Sequence, residues 1–285
     1  MIQVENLPTI TSIQNGALIS QNGAPIGVFD SGVGGISVLQ HICEALPDER
    51  VIYYADSLYA PYGNQSPEFI IERALYLVDF LIGQGAKAIV VACNTATAAA
   101  VSILRQRYAL PIIAMEPAVK PAAAITKSGV IGVLATSGTL KSAQFAALLE
   151  HYGNHVQVVT QACHGLVEAI ERGEIDTAAT KALLRSYIEP LLDAKADVIV
   201  LGCTHYPFVK GQIELIAGKE IALIDTGSAV ARQLKKRLEE ADLLNLAHGH
   251  ATITFYSNSH APDAKKVIAN LWQRSQHTWQ FVPVA

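Results

Sequence analysis

The chain has 285 residues, 51% apolar and 16% charged, with 20 glycines, 12 prolines and a formal net charge of −4. It is too apolar for a disordered protein, lacks the glycine period of a fibrous one, and is long enough for two domains with cores of their own. No block of Lys or Arg forms a stripe, which argues against direct nucleic-acid binding through a basic face.

Residues 1–25 contain no Lys or Arg and no apolar core of signal-peptide length, and they read as an N-terminal extension. The longest apolar run without charge, 88–104, carries Asn94, Thr95, Thr97 and Ser102. It reads as a buried strand, a polar turn and a helix, so no membrane span is expected. A cytoplasmic location follows as an expectation. There Cys43, Cys93, Cys163 and Cys203 stay reduced, available as nucleophiles, bases or ligands.

Beyond the extension, short β-branched runs alternate with helical patterns. Strands are predicted at 26–29, 51–54, 88–91, 112–115, 130–134, 156–160, 198–201, 222–224 and 252–256. Their apolar character suits parallel sheets covered on both faces. Ser66, Pro67 and Glu68 supply a cap, a first-turn proline and a dipole-compensating acid for a helix to Gly83. Pro207 and Pro262 open two more helices, Thr226 is placed to cap a third, and Pro190 should kink the pattern over 177–194.

Three pairs of segments repeat in order. Residues 26–32 resemble 131–138, 88–95 resemble 198–205, and 113–117 resemble 223–226, at offsets of about 105 to 110 residues. The fold class expected is therefore α/β, with two pseudo-symmetric domains, mainly parallel sheets and an active site in the cleft between them. The first domain would comprise 26–116 plus 226–285, the tail returning to complete it, and the second 117–225.

In open α/β sheets, ligands bind beyond the carboxyl ends of strands. The reactive polar residues cluster there: Asp30 and Ser31; Cys93, Asn94 and Thr95; Thr136 and Thr139; Cys203, Thr204 and His205. If the two halves face each other, Cys93 and Cys203 approach one site from opposite sides. One thiolate then removes a proton from a carbon and the other thiol supplies one to the opposite face, inverting the centre. A thiol suits this work because its unperturbed pKa is about 8.5 and a following helix N-terminus can lower it. Asp30 and His205 are the groups to poise the two thiols, one charged and one titrating near pH 7.

The same residues carry a family resemblance. IGVFDSGVGG at 26–35, PYG at 61–63, ACNTATAAA at 92–100, ATSGT at 135–139 and GCTHYP at 202–207 closely resemble the glutamate racemases of the cofactor-independent aspartate/glutamate racemase superfamily. The motifs run in family order from Ile26 to Gln233. The resemblance implies interconversion of L- and D-glutamate without pyridoxal phosphate or any other cofactor, supplying D-glutamate for peptidoglycan. It implies that Cys93 acts on the Cα proton of D-glutamate and Cys203 on that of L-glutamate. It also implies that Asp30, Ser31, Tyr62, Gly63, Asn94, Thr95, Thr204 and His205 line the substrate pocket. His164-Gly165 departs from the family, many of whose members have proline there. The leader before Ile26 is longer than in the shortest relatives. Some relatives with such extensions need UDP-N-acetylmuramoyl-alanine as activator, and this regulation is open here, as is a homodimer.

Plainer readings compete at several positions. Cys43 reads as a buried structural thiol, and Cys163 has no twin in the first half. Zinc binding by Asp30, Cys93, Cys203 and His205 is disfavoured, because these residues form no C-x-x-C or H-x-x-x-H spacing. No metal is expected. The glycines at 32, 34 and 35 do not complete G-x-G-x-x-G and read as a tight turn into a helix, which Asp30 could cap. Tyr53 and Tyr54 look like strand core, and His248, His250, His260 and His277 sit in polar stretches. Aspartate racemisation, a non-catalytic acid-binding protein and a regulatory partner of DNA gyrase are the competing functions. Optical rotation separates the first two, since a binder changes none.

Overall fold

The computed structural model describes residues 13–14, 17–18, 21–153, 155–247, 252–273 and 277–284. Most of the 1–25 extension, together with His248 and His250, lies outside the described residues; Ile13–Gln14 (β1) pairs antiparallel with Ala17–Leu18 (β2).

Two parallel sheets organise the rest. The larger contains Ile26–Asp30 (β3), Val51–Ala55 (β4), Ala88–Val91 (β5), Ile112–Ile113 (β6), Thr252–Ser257 (β11) and Thr278–Pro283 (β12). Its order is β12-β11-β4-β3-β5-β6. The smaller contains Val130–Ala135 (β7), Gln157–Ala162 (β8), Val198–Leu201 (β9) and Ala222–Ile224 (β10), in the order β10-β9-β7-β8. Read from the other edge, β8-β7-β9-β10 has the topology of β4-β3-β5-β6. The sequence repeat is thus a repeat of strand order, and β8 is the counterpart of β4. In each sheet the chain reverses its direction of winding beside the first strand of its unit, between β3 and β5 and between β7 and β9. Ligands of open α/β sheets settle at such points.

The apolar strands earn their burial. All positions of β3, β4, β5 and β9 are buried, with helices on both faces. Ile26, Val28 and Val90 pack with Leu39, Ile42, Leu234 and Ile268 on one side; Phe29 and Val91 pack with Leu77, Val78 and Leu104 on the other. In the smaller sheet, Leu134, Ile199 and Leu201 meet Ile170, Leu184 and Ile188, while Ile131, Val133 and Val200 meet Val119 and Phe145. Each such side chain contributes about 1.5–3 kcal/mol when fully buried. Cys43, Tyr53 and Tyr54 are core residues, as expected.

Three local expectations need correction. The strand over 112–115 stops at Ile113, because the Met115 N–H turns to the Thr97 hydroxyl (3.4 Å) instead of the ladder. Thr226 occupies the cap position of Gly227–Glu240, but its side chain does not cap; Asp225 accepts from the Gly227 N–H at 3.0 Å. The tail supplies two strands, not one. β12 was not anticipated, because TWQFVP alternates in burial at a sheet edge and lacks the continuous apolar run of the inner strands. The helix over 177–194 is one element, Ala178–Asp193, running on through Pro190. Ser66 behaves as expected, accepting from the Phe69 N–H at 3.3 Å. Among the described residues, no helix is long and apolar enough to cross a membrane.

Candidate active site

The site is built from the carboxyl ends of β3, β5, β7 and β9, where the two sheets' loops meet. Asp30, the last residue of β3, is fully buried. Its Oδ2 accepts from the Gly35 N–H (2.8 Å) and, across the junction, from the Thr204 hydroxyl (3.4 Å); Oδ1 accepts from Ser31 Oγ (3.4 Å). Asp30 therefore does bind the turn that opens Ile36–Ala45, while also facing the second half. Burial raises its carboxyl above the ordinary aspartate range, an effect that His205 and the Gly35 N–H partly offset.

Cys93 follows β5 and caps the helix Asn94–Arg107, its sulfur accepting from the Ala96 N–H at 3.4 Å. Its thiol lies 3.8 Å from Ser31 Oγ. The expectation that this helix end lowers the thiol pKa is corrected. Burial and the Asp30 carboxylate push Cys93 well above its ordinary value, and the Ala96 N–H recovers only part of that. Cys93 rests as a thiol beside a carboxylate.

Cys203 follows β9 in a different setting. Its sulfur is 3.7 Å from His205 Nδ1, and His205 Nε2 is 2.6 Å from Glu171 Oε1. His205 is buried, which opposes its charge, yet Cys203 and Glu171 together hold it protonated with a pKa well above 6.5. The expectation that it titrates near neutrality is therefore corrected too. As an imidazolium it donates from both ring nitrogens, one proton toward the sulfur and one to Glu171.

Glu171 was missed by the sequence reading, and no local signal marks it. It closes the short helix Leu166–Glu171 in a charged stretch that reads as solvated surface. Its carboxylate also accepts from the Val33 N–H (2.7 Å) and Ser57 Oγ (2.8 Å), binding the second half to the glycine loop after β3. That loop must be glycine where the halves touch. A Cβ on Gly32 would sit 1.9 Å from Glu171 Oε1, and one on Gly34 would sit 2.2 Å from His205 Nδ1. The Ser37 hydroxyl adds a 2.8 Å bond to the Thr204 carbonyl.

The remaining expected residues converge on the same place. Thr95 Oγ1 lies 2.9 Å from Thr136 Oγ1 and 3.1 Å from Thr139 Oγ1, so three hydroxyls join two helix N-termini from opposite sheets. Gly63 packs on Thr136, where a Cβ would come within 2.7 Å of Thr136 Cβ. The Asn94 amide is buried with neither its oxygen nor its nitrogen hydrogen-bonded. The Tyr62 hydroxyl donates to Asp56, so its polar end is tied within the first half. Cys163 lines a small mouth with Gly63, Thr136 and His164. Burial pushes its thiol up to about 12, which suits a structural thiol rather than a base. Among the described residues, no three His, Cys, Asp or Glu side chains are grouped to hold a metal ion.

Two buried thiols thus stand at equivalent strand ends, Cys93 beside Asp30 and Cys203 beside His205 and Glu171. A family model described as Asp/Glu/hydantoin racemase matches residues 26–234. The chain belongs to that family. Within it, the chain is 55% identical over 260 residues to glutamate racemase of Pseudomonas syringae pv. tomato, covering 90% of this chain and 94% of that one. It is 52% identical over 251 residues to glutamate racemase of Methylococcus capsulatus, covering 88% and 93%. The fold matches the crystal structure of Escherichia coli glutamate racemase in complex with L-glutamate and the activator UDP-MurNAc-Ala. That match has a TM-score of 0.80, 31% identity, and coverage of 92% and 99%. The Francisella tularensis glutamate racemase, in complex with D-glutamate, matches with a TM-score of 0.78 and 30% identity, covering 92% and 98%.

Proposed function

We propose that the enzyme interconverts L- and D-glutamate by moving the Cα proton between Cys203 and Cys93, supplying D-glutamate for peptidoglycan in the cytoplasm. The observation that carries the mechanism is the unequal pairing of the two thiols, Cys93 with Asp30 and Cys203 with His205 and Glu171. From L-glutamate, Cys203 acts as a thiolate beside the His205 ring and takes the Cα proton. The Cys93 thiol gives its proton to the opposite face. From D-glutamate, Cys93 first passes its proton to Asp30, whose raised pKa makes the carboxylate a competent acceptor, and then takes the Cα proton; His205 gives its proton to Cys203, which delivers it to the opposite face. Asn94, Thr95, Ser31 and Thr204 supply polar groups for the substrate's charged ends, and the turn at Tyr62 and Gly63 bounds the side-chain carboxylate. Two domains, 26–116 with 226–285 and 117–225, form the walls of the cleft in this reading. Activation by UDP-MurNAc-Ala, named with the E. coli relative, and assembly as a homodimer belong to the same reading.

Racemisation of L-glutamate in D₂O tests it. At low conversion the D-glutamate formed should carry deuterium at Cα while residual L-glutamate stays mostly protiated, and kcat/KM for aspartate should be far lower. D-glutamate retaining the original proton, or comparable rates on aspartate, would overturn the assignment.

A further inference from the structure

Asp56 stands beside the site without belonging to the acid–base pair. It follows β4, its N–H donates to the Asp30 carbonyl at 3.1 Å, and it is fully buried. Its carboxylate is saturated. Arg73 grips it through Nε (3.0 Å) and Nη2 (2.6 Å), Asn258 Nδ2 donates to Oδ1 at 2.6 Å, and the Tyr62 hydroxyl donates to Oδ2. Those donors occupy the acceptor sites of one carboxylate, so Asp56 has none left for a substrate.

The donors come from three separate segments. Arg73 lies on the helix Pro67–Gly83, with its guanidinium 4.4 Å from the Tyr59 ring centre and 4.6 Å from that of Tyr76. Asn258 follows β11, in the tail that has no counterpart in the second half, and its Oδ1 also accepts from the Leu58 N–H at 3.0 Å. All of them converge on residues 56–62. That segment in turn meets the second half at both ends, through Ser57 on Glu171 and Gly63 on Thr136.

We propose that Asp56, Arg73 and Asn258 form a positioning clamp that holds the turn at Tyr62 and Gly63 at the depth that fits a glutamate side chain. The clamp acts through the turn, with no contact to the reacting carbon, so it governs binding of the distal carboxylate more than proton transfer. Loosening it lets the turn withdraw from Thr136, weakens the hold on glutamate and narrows the preference for glutamate over aspartate. This rests on the glutamate reading of the site above.

Asn258→Ala tests the clamp at its least charged arm. The expected result is a KM for L-glutamate raised about tenfold with kcat within about threefold, the pattern of lost binding rather than lost chemistry. The glutamate-to-aspartate ratio of kcat/KM should fall in step. Arg73→Lys keeps the charge but loses the fork, and its KM should lie between those of wild type and Arg73→Met. It carries the same expectation if Asn258→Ala does not fold. A fall in kcat at unchanged KM, or a lower melting temperature with both constants and the substrate ratio unmoved, would overturn the clamp. Wild-type enzyme in the same assay separates the two failures: if it does not racemise glutamate, the reading of the site fails, and if it does, only the clamp is on trial.

Discussion

The ends of β5 and β9 are equivalent by sequence repeat and by strand order, yet they set their cysteines in opposite electrostatic surroundings. Cys93 is buried beside the Asp30 carboxylate and is driven toward the thiol. Cys203 sits 3.7 Å from the protonated ring of His205, which Glu171 backs on its far side. On the proposed mechanism a doubled fold supplies attack from two faces, and the residues that break the doubling give the two sulfurs different partners. Asp30, the last residue of β3, has Ala135, the last of β7, as its positional counterpart, and His205 has Thr95. On that mechanism the difference matters, because one thiolate and one thiol are needed at once and two identical surroundings would supply two of the same form.

The largest effect should come from removing either sulfur. Cys93→Ala and Cys203→Ala should each cost racemisation at least the roughly 10²–10⁴-fold that a positioned acid or base provides. The enantiomers have equal energy, so kcat/KM must fall equally in both directions. The asymmetry appears instead in exchange without inversion. In D₂O, Cys203→Ala should wash deuterium into D-glutamate alone, through Cys93 and Asp30, and Cys93→Ala should wash it into L-glutamate alone. Exchange into both enantiomers by either variant, followed by NMR, would show that the thiols do not divide the two faces.

A smaller effect separates the halves sterically. In Gly34→Ala the new methyl would fall 2.2 Å from His205 Nδ1 and 2.5 Å from Cε1, so the buried ring must shift away from Cys203. A displacement near 1 Å in a catalytic group can cost about 10²-fold, and kcat/KM should fall by that order. D-glutamate exchange through the Cys93 half should be much less affected. Near wild-type racemisation by Gly34→Ala would mean that the His205 position is not held as tightly as the packing implies.

Both thiols and most of their surroundings were legible in the sequence because each residue lies within a few positions of a strand end, and strand ends follow from apolar runs. The repeat placed Cys93 opposite Cys203 without any structural input. What was not legible depends on contacts between distant segments. Glu171 reaches His205 only because two sheets pack loop to loop, and Asn258 reaches Asp56 only because the tail returns beside β4. The direction of the Cys93 shift was misjudged for a related reason. A helix N-terminus can be read from Asn94-Thr95, but the burial and the nearby carboxylate that outweigh it cannot.

The smallest effect near neutral pH, and the most diagnostic, is expected from Glu171→Gln. The substitution keeps a group able to hydrogen-bond His205 but removes the charge that helps hold the ring protonated. With burial now less opposed, the His205 pKa should drop toward or below 6.5. The alkaline limb of kcat/KM should then move to lower pH. Above the new pKa the imidazolium fraction falls about tenfold per pH unit, so the deficit should be slight at pH 6 and grow with pH. Stability should follow the same linkage. Because the folded-state pKa of His205 is raised, its contribution is fully present below the unfolded value of about 6.5 and is lost as pH rises through the folded value. The melting-temperature gap between wild type and Glu171→Gln should therefore be widest below pH 6.5 and close as pH rises. Asp30→Asn supplies the contrast within the molecule: it removes a charge that also favours the imidazolium but leaves the His205–Glu171 contact intact, so it should move the alkaline limb less than Glu171→Gln does. A Glu171→Gln profile parallel to wild type at every pH would mean that His205 does not depend on Glu171 for its charge, and the asymmetry of the two thiols would need another source.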